Sequence, residues 1–517
     1  MNLKRFVKQY AAMVALPFSF LACGVEVPQN VAECDSVEVD IYPDYRNVSI
    51  PCNIAPLNFI VNTPEKDCRV CVTAPSGDLC VVEADGDGKV VFPTQTWKKI
   101  LSNNLDTSLK IEVYVKNSQW SRLKPFYWKV ERDSIDPLLT CRLIEPSYRA
   151  YTSLSLTSFD LEHNSYRNIA ENYDLFGNKP GENQCCMNCH SQQKNGSGNS
   201  LFHYRGKNGG LVLTYNGKTS IINTKVGDLL ASTTYVAWHP SLPLVAFSVN
   251  SVGQCFPSFN NAKVEIMDFS SDLVLYDIEK NEISYILKSS DKMETFPCWS
   301  GDGEKLYYVT SDSVLSHVSE YKKIKYDLAC VRFDKDSMRF GTPEIVYSAS
   351  SIGKSASQPK ASPDGRSVVF SLSEYGCSPY RHSDCDLYEL NTVTGEVRPL
   401  SEINSEMSDA YHDWSSNGKW MLFSSRCEDG NYARPFFTHC DSTGIFSKPF
   451  QIPHEDPSFD QYLLKSYNVP EFATVEPAMN PEKFYELLKS VPTSANFNGV
   501  PVQSNPVDGT SGASVIR

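Results

Sequence analysis

The stretch CWSGDGEKLYYVTS, at residues 298–311, decides the fold of this chain. A Trp-containing strand leads into the pair Asp302-Gly303, and an alternating apolar strand follows. Asp-Gly is a strong signal for a tight β-hairpin, because these residues tolerate the positive φ that such turns require. The segment therefore predicts two antiparallel strands joined by a short turn.

The hairpin is one of four copies. The others are AWHPSLPLVAFSVN at 237–250, KASPDGRSVVFSLS at 360–373 and DWSSNGKWMLFSSR at 413–426. A second pair of strands follows the copies, most clearly at 272–287 and 386–400, which gives four strands per repeat. Such blades cannot bury their faces alone and stack around a channel. A sandwich of unrelated hairpins is the alternative, and the near-regular repeat disfavours it. The prediction is an all-β fold, a β-propeller of about six four-stranded blades.

The strings WSGDGEKLYYVTS, ASPDGRSVVFSLS and WSSNGKWMLFSS resemble the Pro-Asp-Gly blade repeats of TolB-like propeller proteins. The resemblance covers roughly residues 200–455. It implies a TolB-like propeller at 141–470, and it is informative about fold rather than function.

Three further segments flank this propeller. Residues 24–140 alternate short strands with turns and predict a small N-terminal β-sandwich. Residues 471–490 include a Pro-initiated segment that predicts a short C-terminal helix. Residues 491–517 are rich in Ser, Asn, Gly and Pro and predict a disordered tail.

Composition narrows the function. The 517 residues carry 48 basic and 61 acidic side chains, a net charge of −13, which disfavours nucleic acid as a partner. No hydrolase elbow, phosphate-binding loop, dinucleotide fingerprint or zinc-protease motif occurs. We therefore assign no catalytic residue, and an enzymatic role stays uncertain.

The N-terminus predicts export. Basic residues precede an apolar stretch at 10–21, and the string FLACG at 20–24 resembles a bacterial lipobox. Residues 1–23 are then a lipoprotein signal peptide, and Cys23 is lipidated. Ordinary cleavage near Ala22 is the alternative. Either way we expect an exported protein, and with the lipid it is anchored at the periplasmic face of a bacterial membrane, most simply the outer membrane.

One string carries sharp chemistry: Cys186-Met187-Asn188-Cys189-His190 matches the c-type haem attachment signature C-x-x-C-H. Two thiols at this spacing can add to two vinyl groups of a porphyrin, and the adjacent imidazole can ligate the iron. The motif predicts one covalent haem c per chain. Because residues 170–200 are polar and Gly-rich, we expect the motif on an inserted loop over a propeller face.

The motif has competing interpretations. Cys186 and Cys189 can form a disulfide, or they can join His190 in a zinc site with Cys185 or His203 as fourth ligand. If haem is bound, His203 is the first candidate for a second axial ligand, ahead of three other histidines. These are His163, His239 and His412.

The string CMNCH followed by FHYRGKNGG is similar to segments of some propeller lipoproteins of the Bacteroidetes type. This resemblance implies a haem-bearing propeller that transfers electrons or senses redox state, with a redox partner or another envelope protein. The alternative is a non-enzymatic binding or scaffold propeller with bridged cysteines. A haem enzyme with an open iron position is a third interpretation.

The chain has 17 cysteines, a number compatible with an oxidising compartment. We expect some disulfides, with the pairs Cys377 and Cys385, and Cys427 and Cys440, close enough in sequence to bridge loops. A second C-x-x-C, Cys68 to Cys71, lacks a following His. It predicts structural disulfides with Cys52 or Cys80.

Overall fold

The computed structural model describes residues 25–146, 153–172, 186–206, 208–255, 264–312, 318–477 and 481–499. The expected signal peptide with Cys23, the neighbouring Cys185 and the segment 500–517 lie outside these ranges. None of the helices in the described ranges has the length and apolar character needed to cross a bilayer.

The N-terminal domain contains two sheets and one helix. Its elements are β1 (Ala32–Cys34), β2 (Ile41–Tyr42), β3 (Val48–Pro51), β4 (Phe59–Val61), β5 (Asp67–Thr73), β6 (Leu79–Glu83), β7 (Lys89–Val90), α1 (Thr94–Asn103), β8 (Thr107–Lys116), β9 (Trp120–Leu123) and β10 (Phe126–Glu131). Strands β2, β4 and β7 form a three-stranded sheet, and the other seven form the larger sheet.

Both sheets and the helix share one core, in which the rings of Trp97 and Trp128 lie 5.5 Å apart. Helix α1 has no counterpart in the strand-and-turn pattern expected for this domain. It forms because Trp97, Ile100 and Leu101 fall on one helical face, and all three are buried. The same core continues into the propeller through Trp420 and Tyr467.

Six antiparallel sheets of the described ranges form the propeller. The first three blades contain β11 (Leu138–Ile144), β12 (Ser155–Asp160) and β13 (Ser165–Glu171); β14 (Cys186–Gln192), β15 (Ser200–Arg205), β16 (Gly210–Tyr215) and β17 (Lys218–Asn223); and β18 (Thr233–Trp238), β19 (Leu244–Cys255), β20 (Glu265–Asp277) and β21 (Glu282–Leu287).

The last three blades follow in the same order. They contain β22 (Met293–Trp299), β23 (Lys305–Ser311), β24 (Asp327–Asp334), β25 (Arg339–Phe340) and β26 (Glu344–Tyr347); β27 (Ser355–Ala361), β28 (Ser367–Ser373), β29 (Asp386–Asn391) and β30 (Val397–Pro399); and β31 (Asp409–Trp414), β32 (Trp420–Ser425), β33 (Arg434–His439) and β34 (Phe450–Gln451). In blade 4 both β25 and β26 pair with β24.

The ring closes through a late strand. After the short helix α2 (Phe459–Tyr462), strand β35 (Ser466–Ala473) pairs antiparallel with β11 and becomes the innermost strand of blade 1. The innermost strands contact one another in the order β35, β14, β18, β22, β27, β31 and back to β35. The predicted all-β propeller of about six four-stranded blades is confirmed. Residues 138–140 and 471–473 belong to blade 1, so both predicted propeller boundaries were set too narrowly.

The Asp-Gly turns form as the repeat predicts. In blade 4, Gly303 has φ of +73°, and Asp302 Oδ1 accepts hydrogen bonds from Ser300 Oγ at 2.6 Å and Glu304 N at 2.9 Å. The same Ser-to-Asp or Ser-to-Asn contact, at 2.6 Å, recurs in blades 5 and 6. The polar side chain therefore holds the turn from within.

The C-terminal segment wraps the outside of the ring. Helix α3 (Pro481–Leu488) is followed by β36 (Thr493–Ser494) and β37 (Asn496–Asn498), which pair parallel with β17 and β21. The predicted disorder from residue 491 is therefore wrong for 493–498. A composition rich in Ser and Asn did not reveal that two blade edges were available for pairing.

Candidate functional site

Each innermost strand is interrupted at the same place, where its pairing with the next strand shifts register. One non-glycine residue in each interruption adopts a left-handed φ between 44° and 53°. These residues are Cys189, Tyr235, Phe296, Gln358, Tyr411 and Val469. Such a conformation is uncommon for non-glycine residues, so its sixfold recurrence marks a β-bulge built into every blade.

The six bulges surround a central cavity of about 780 Å³, and all six left-handed residues line it. This volume lies within the roughly 300–1,000 Å³ typical of small-molecule sites. The cavity is therefore the candidate functional site.

The C-x-x-C-H motif lies on this cavity wall. Residues 186–192 form β14, the innermost strand of blade 2, so the expected placement of the motif on an inserted loop is wrong. Met187 is fully buried in the core between blades 1 and 2, while Cys186 and Asn188 line the cavity. Because the bulge interrupts the alternation, Cys189 and His190 line the cavity as well.

The two thiols have different surroundings. Cys186 Sγ lies 3.7 Å from the Arg142 Nη1 atom, which also donates to the Met187 carbonyl oxygen at 3.0 Å. Burial raises the pKa of Cys189, although the positive charge of Arg205 opposes this effect. The Cys189 thiol is therefore protonated at neutral pH.

His190 is held between blades. Its Nε2 atom lies 3.3 Å from the carbonyl oxygen of Thr140 on blade 1. Burial lowers the pKa of His190 to about 4, so the imidazole is neutral at physiological pH. A neutral imidazole is the form that ligates metals.

His412 occupies the equivalent position on blade 6. It follows the left-handed Tyr411, lines the same cavity and places Nε2 at 2.7 Å from the carbonyl oxygen of Val369 on blade 5. A histidine at this bulge position can therefore tie neighbouring blades together without any cofactor.

His203 also lines the cavity and is only 3% exposed. It lies opposite Asn188 in the strand pairing, and its Nε2 is 2.9 Å from Thr233 Oγ1. Its Nδ1 is buried and has no hydrogen-bond partner among the described residues. Burial lowers the pKa of His203 to about 3.

The structure separates the remaining histidine candidates. His163 is exposed and lies 2.9 Å from Asp160, away from the cavity. His239 also lies outside the cavity lining: its Nδ1 accepts from the Ser241 and Leu242 amides, and its Nε2 bonds the Gly303 carbonyl. His412 is therefore the one of the three weaker candidates that faces the cavity.

The other predicted cysteine chemistry is not present in the described ranges. None of the 14 cysteines whose side chains are described forms a disulfide, and no group of three or more described His, Cys, Asp or Glu side chains is arranged to hold a metal ion. The expectation of some disulfides is therefore wrong for these cysteines, which include the two pairs close enough in sequence to bridge loops, Cys377 with Cys385 and Cys427 with Cys440. Cys68 and Cys71 lie in regular strand β5, where residues three apart point to opposite faces.

The sequence did not predict a cluster of charged side chains that lies just after the bulges in three blades. Lys360 Nζ lies 3.5 Å from Asp413 and 3.7 Å from Glu471, which joins blades 5, 6 and 1 beside the cavity. Each quoted repeat begins two residues after the left-handed residue of a bulge. Starting the copies two residues earlier gives YVAW, FPCW, QPKA and YHDW, and CHSQ at 189–192 then aligns as another blade strand.

No family model matches this chain, and no curated protein matches it. Solved structures give low-identity matches that include TolB and other β-propellers. TolB from Acinetobacter baumannii matches at 10% identity over 74% of this chain and 86% of that chain, with a TM-score of 0.42.

Two other solved structures match over a similar share of this chain. The propeller domain of the Trilobed protease from Pyrococcus furiosus matches at 13% identity over 64% of this chain and 91% of that chain, with a TM-score of 0.32. A hypothetical selenium-binding protein from Sulfolobus tokodaii matches at 9% identity over 76% and 92%, with a TM-score of 0.35. The propeller assignment rests on the sheets of this chain.

Proposed function

We propose that this chain is an exported protein that carries one covalent c-type haem on the blade 2 wall of its central cavity and serves in electron transfer or redox sensing. The observation that carries the proposal is that Cys186, Cys189 and His190 all line one cavity. A strand without a bulge would turn Cys189 away from Cys186.

The residues around the cavity fit such a group. Cys186 and Cys189 would hold it through thioethers, His190 would be its axial ligand, and His203 is the candidate second ligand. When bound, haem would supply one-electron redox chemistry. The neutral imidazoles of His190 and His203 are in the form suited to ligation.

The rest of the cavity wall supports a planar, anionic group. The rings of Tyr235 and Phe296 stack at 3.9 Å with an angle of 27°, and both line the cavity. Arg142 and Arg205 line it too and supply positive charge on the side of the motif. Aromatic faces and guanidinium groups suit a porphyrin plane and its carboxylates, respectively.

The sequence supports the cellular part of the proposal. The signal segment 1–23 and its Cys23 predict export and a lipid anchor, and covalent haem attachment requires export. We propose the periplasmic face of the outer membrane as the location. The partner would be a redox protein or another envelope protein.

A non-enzymatic binding or scaffold propeller with a Cys186–Cys189 disulfide is the second candidate. His412 favours it, because this residue makes the same contact as His190 without any C-x-x-C sequence before it.

The test is export in a host with working haem-attachment machinery, followed by an absorption spectrum of the denatured protein. We expect a Soret band that survives denaturation and disappears in the Cys186→Ser, Cys189→Ser double variant. The matched control is Cys68→Ser, Cys71→Ser, which removes the same spacing from β5 and should keep the band.

A His190→Gln variant separates ligation from the contact between blades. The Gln amide can still donate to the Thr140 carbonyl but is a poor iron ligand, so we expect a shifted Soret band at unchanged thermal stability. A wild-type protein with no Soret band, beside a control cytochrome that is loaded, would contradict the proposal.

A further inference from the structure

Two polar side chains on the opposite wall of the cavity have unused hydrogen-bonding atoms. Gln358 of blade 5 is 6% exposed and His412 of blade 6 is 2% exposed, and both line the cavity. Neither Gln358 Nε2 nor His412 Nδ1 has a hydrogen-bond partner among the described residues. Leaving such buried atoms unpaired is costly, so their presence beside a cavity points to a ligand.

Hydrogen bonds fix the orientation of the Gln358 side-chain amide. Gln358 Oε1 accepts the Tyr411 backbone N–H at 3.1 Å and the Ser371 hydroxyl at 3.4 Å. Two donors on one atom identify it as the oxygen, which leaves the NH₂ group as the unpaired end. Gln358 therefore offers a hydrogen-bond donor.

The contacts of His412 likewise determine which of its ring nitrogens carries the proton. His412 Nε2 lies 2.7 Å from the Val369 carbonyl oxygen, which can only accept, so Nε2 carries the proton. Burial lowers the pKa of His412 to about 3, so the ring is neutral and Nδ1 is a bare acceptor. The Tyr411 N–H that binds Gln358 belongs to the residue before His412, so Gln358 contacts the backbone next to His412.

We propose that this pair binds a neutral carboxamide group of a small molecule, whose oxygen accepts from Gln358 Nε2 and whose N–H donates to His412 Nδ1. A carboxylate would place lone pairs against Nδ1, and an ammonium would meet the Gln358 N–H group. The adjacent Tyr380 and Tyr411 rings, 5.3 Å apart with an angle of 30°, form an aromatic surface beside the pair. An aromatic carboxamide is the class that fits both features.

This site uses blades 5 and 6 only and does not depend on haem at the blade 2 wall. The test is isothermal titration of the exported protein with benzamide, acetophenone and benzoate, which share a ring and differ in donors and charge. The titrations are repeated on the Cys186→Ser, Cys189→Ser variant, so that loss of haem and loss of the carboxamide site are observed separately.

We expect benzamide to bind about tenfold more tightly than acetophenone, the effect of one neutral hydrogen bond, and more tightly than benzoate. Gln358→Glu removes the donor while an oxygen still accepts from Tyr411. His412→Gln keeps the bond to the Val369 carbonyl but removes Nδ1. Each should weaken benzamide binding about tenfold.

The matched control is Gln254→Glu, the same change at an exposed residue on the blade 3 wall of the cavity, which should leave benzamide affinity unchanged. Equal affinity for benzamide and benzoate would overturn the proposal. So would absence of benzamide binding in both the wild type and the cysteine variant, since ordered water would then satisfy the pair.

Discussion

Cys186 and Cys189 line the same cavity although they are three residues apart in one strand. The left-handed backbone at Cys189, with φ of 50°, interrupts the alternation of the strand. Cys68 and Cys71 have the same spacing in the regular strand β5 and point to opposite faces. The bulge, rather than the spacing alone, makes the first pair suitable for joint chemistry.

The contrast predicts how Cys68 and Cys71 behave under oxidation. Both are 2% exposed, and burial raises the pKa of Cys68 to about 12 and also raises that of Cys71. We expect no Cys68–Cys71 disulfide after mild oxidation of the folded protein, and thiol labelling only after unfolding. Cys34, partly exposed on β1, is the control that should be labelled in the folded protein. Peptide mapping without reductant checks this, and a Cys68–Cys71 bridge in folded protein would refute the β5 geometry.

The C-terminal wrap gives a second prediction through Gly227 and Phe497. Gly227 has φ of +57°, and a Cβ there would lie 2.0 Å from Phe497 Cδ1. We expect Gly227→Ala to destabilise the fold by about 2–4 kcal/mol, because it adds a clash to an unfavourable backbone conformation. Adding Phe497→Ala should recover the part caused by the clash.

Gly353→Ala is the matched control for the backbone effect. Gly353 has φ of +74° and no atom within 4 Å of the added Cβ. It should cost about 1 kcal/mol in urea unfolding, with no further change when Phe497→Ala is added. If Gly227→Ala cost no more than Gly353→Ala, residues 496–498 would not be docked on blade 3.

A third prediction concerns acid and the strand that closes the ring. Asp460 is 3% exposed and accepts from Tyr467 Oη at 2.8 Å and Gln451 Nε2 at 2.8 Å. Burial alone would raise its pKa, but the charge and hydrogen bond of His454 and the charge of Arg434 hold the pKa at about 2.

Because the folded pKa lies below that of the unfolded chain, the unfolded state binds this proton first as the pH falls. The contribution of Asp460 is present above about pH 4 and is lost between about pH 4 and 2, by roughly 2 kcal/mol. Asp460→Asn should destabilise the protein by about 3 kcal/mol at neutral pH. It should also reduce the loss of stability between about pH 4 and 2. Asp67→Asn, at an exposed ion pair with Lys116, is the control and should change stability by less than about 1 kcal/mol. Stability is measured as the urea midpoint from pH 7 to 2. If the network did not close the ring, Asp460→Asn would lose as much stability between pH 4 and 2 as the wild type does.

Local sequence was sufficient for blades 4, 5 and 6, in which an Asp-Gly or Asn-Gly turn joins the two innermost strands. The turn at Asp302-Gly303 forms through contacts within six residues, so its strands could be predicted without knowledge of the rest of the chain. Blade 2 has the pair Asn195-Gly196 after β14, but the Gly, Asn, Gln and Ser residues around this pair resemble a loop. The closing strand is a different case, because β35 pairs with β11 across more than 300 residues. No local pattern specifies such a partner.

In the candidate site, too, some features follow from local sequence and others depend on distant parts of the chain. The prediction of covalent haem depends only on the residue types and spacing of Cys186, Cys189 and His190. Their exposure to one cavity depends on the bulge, and the environment of His190 depends on Thr140 from another blade. The donor and acceptor atoms of Gln358 and His412 had no sequence signature, since an unpaired atom is defined only by the groups around it.

The most direct test of the central claim is mass mapping of the peptide that contains Cys186 and Cys189. The protein should be exported from a host whose haem-attachment machinery loads a control cytochrome in the same cells. We predict one haem mass linked to both cysteines of this peptide. Two free thiols, or the two-proton loss of a Cys186–Cys189 disulfide, in a preparation whose control cytochrome is loaded would contradict the claim.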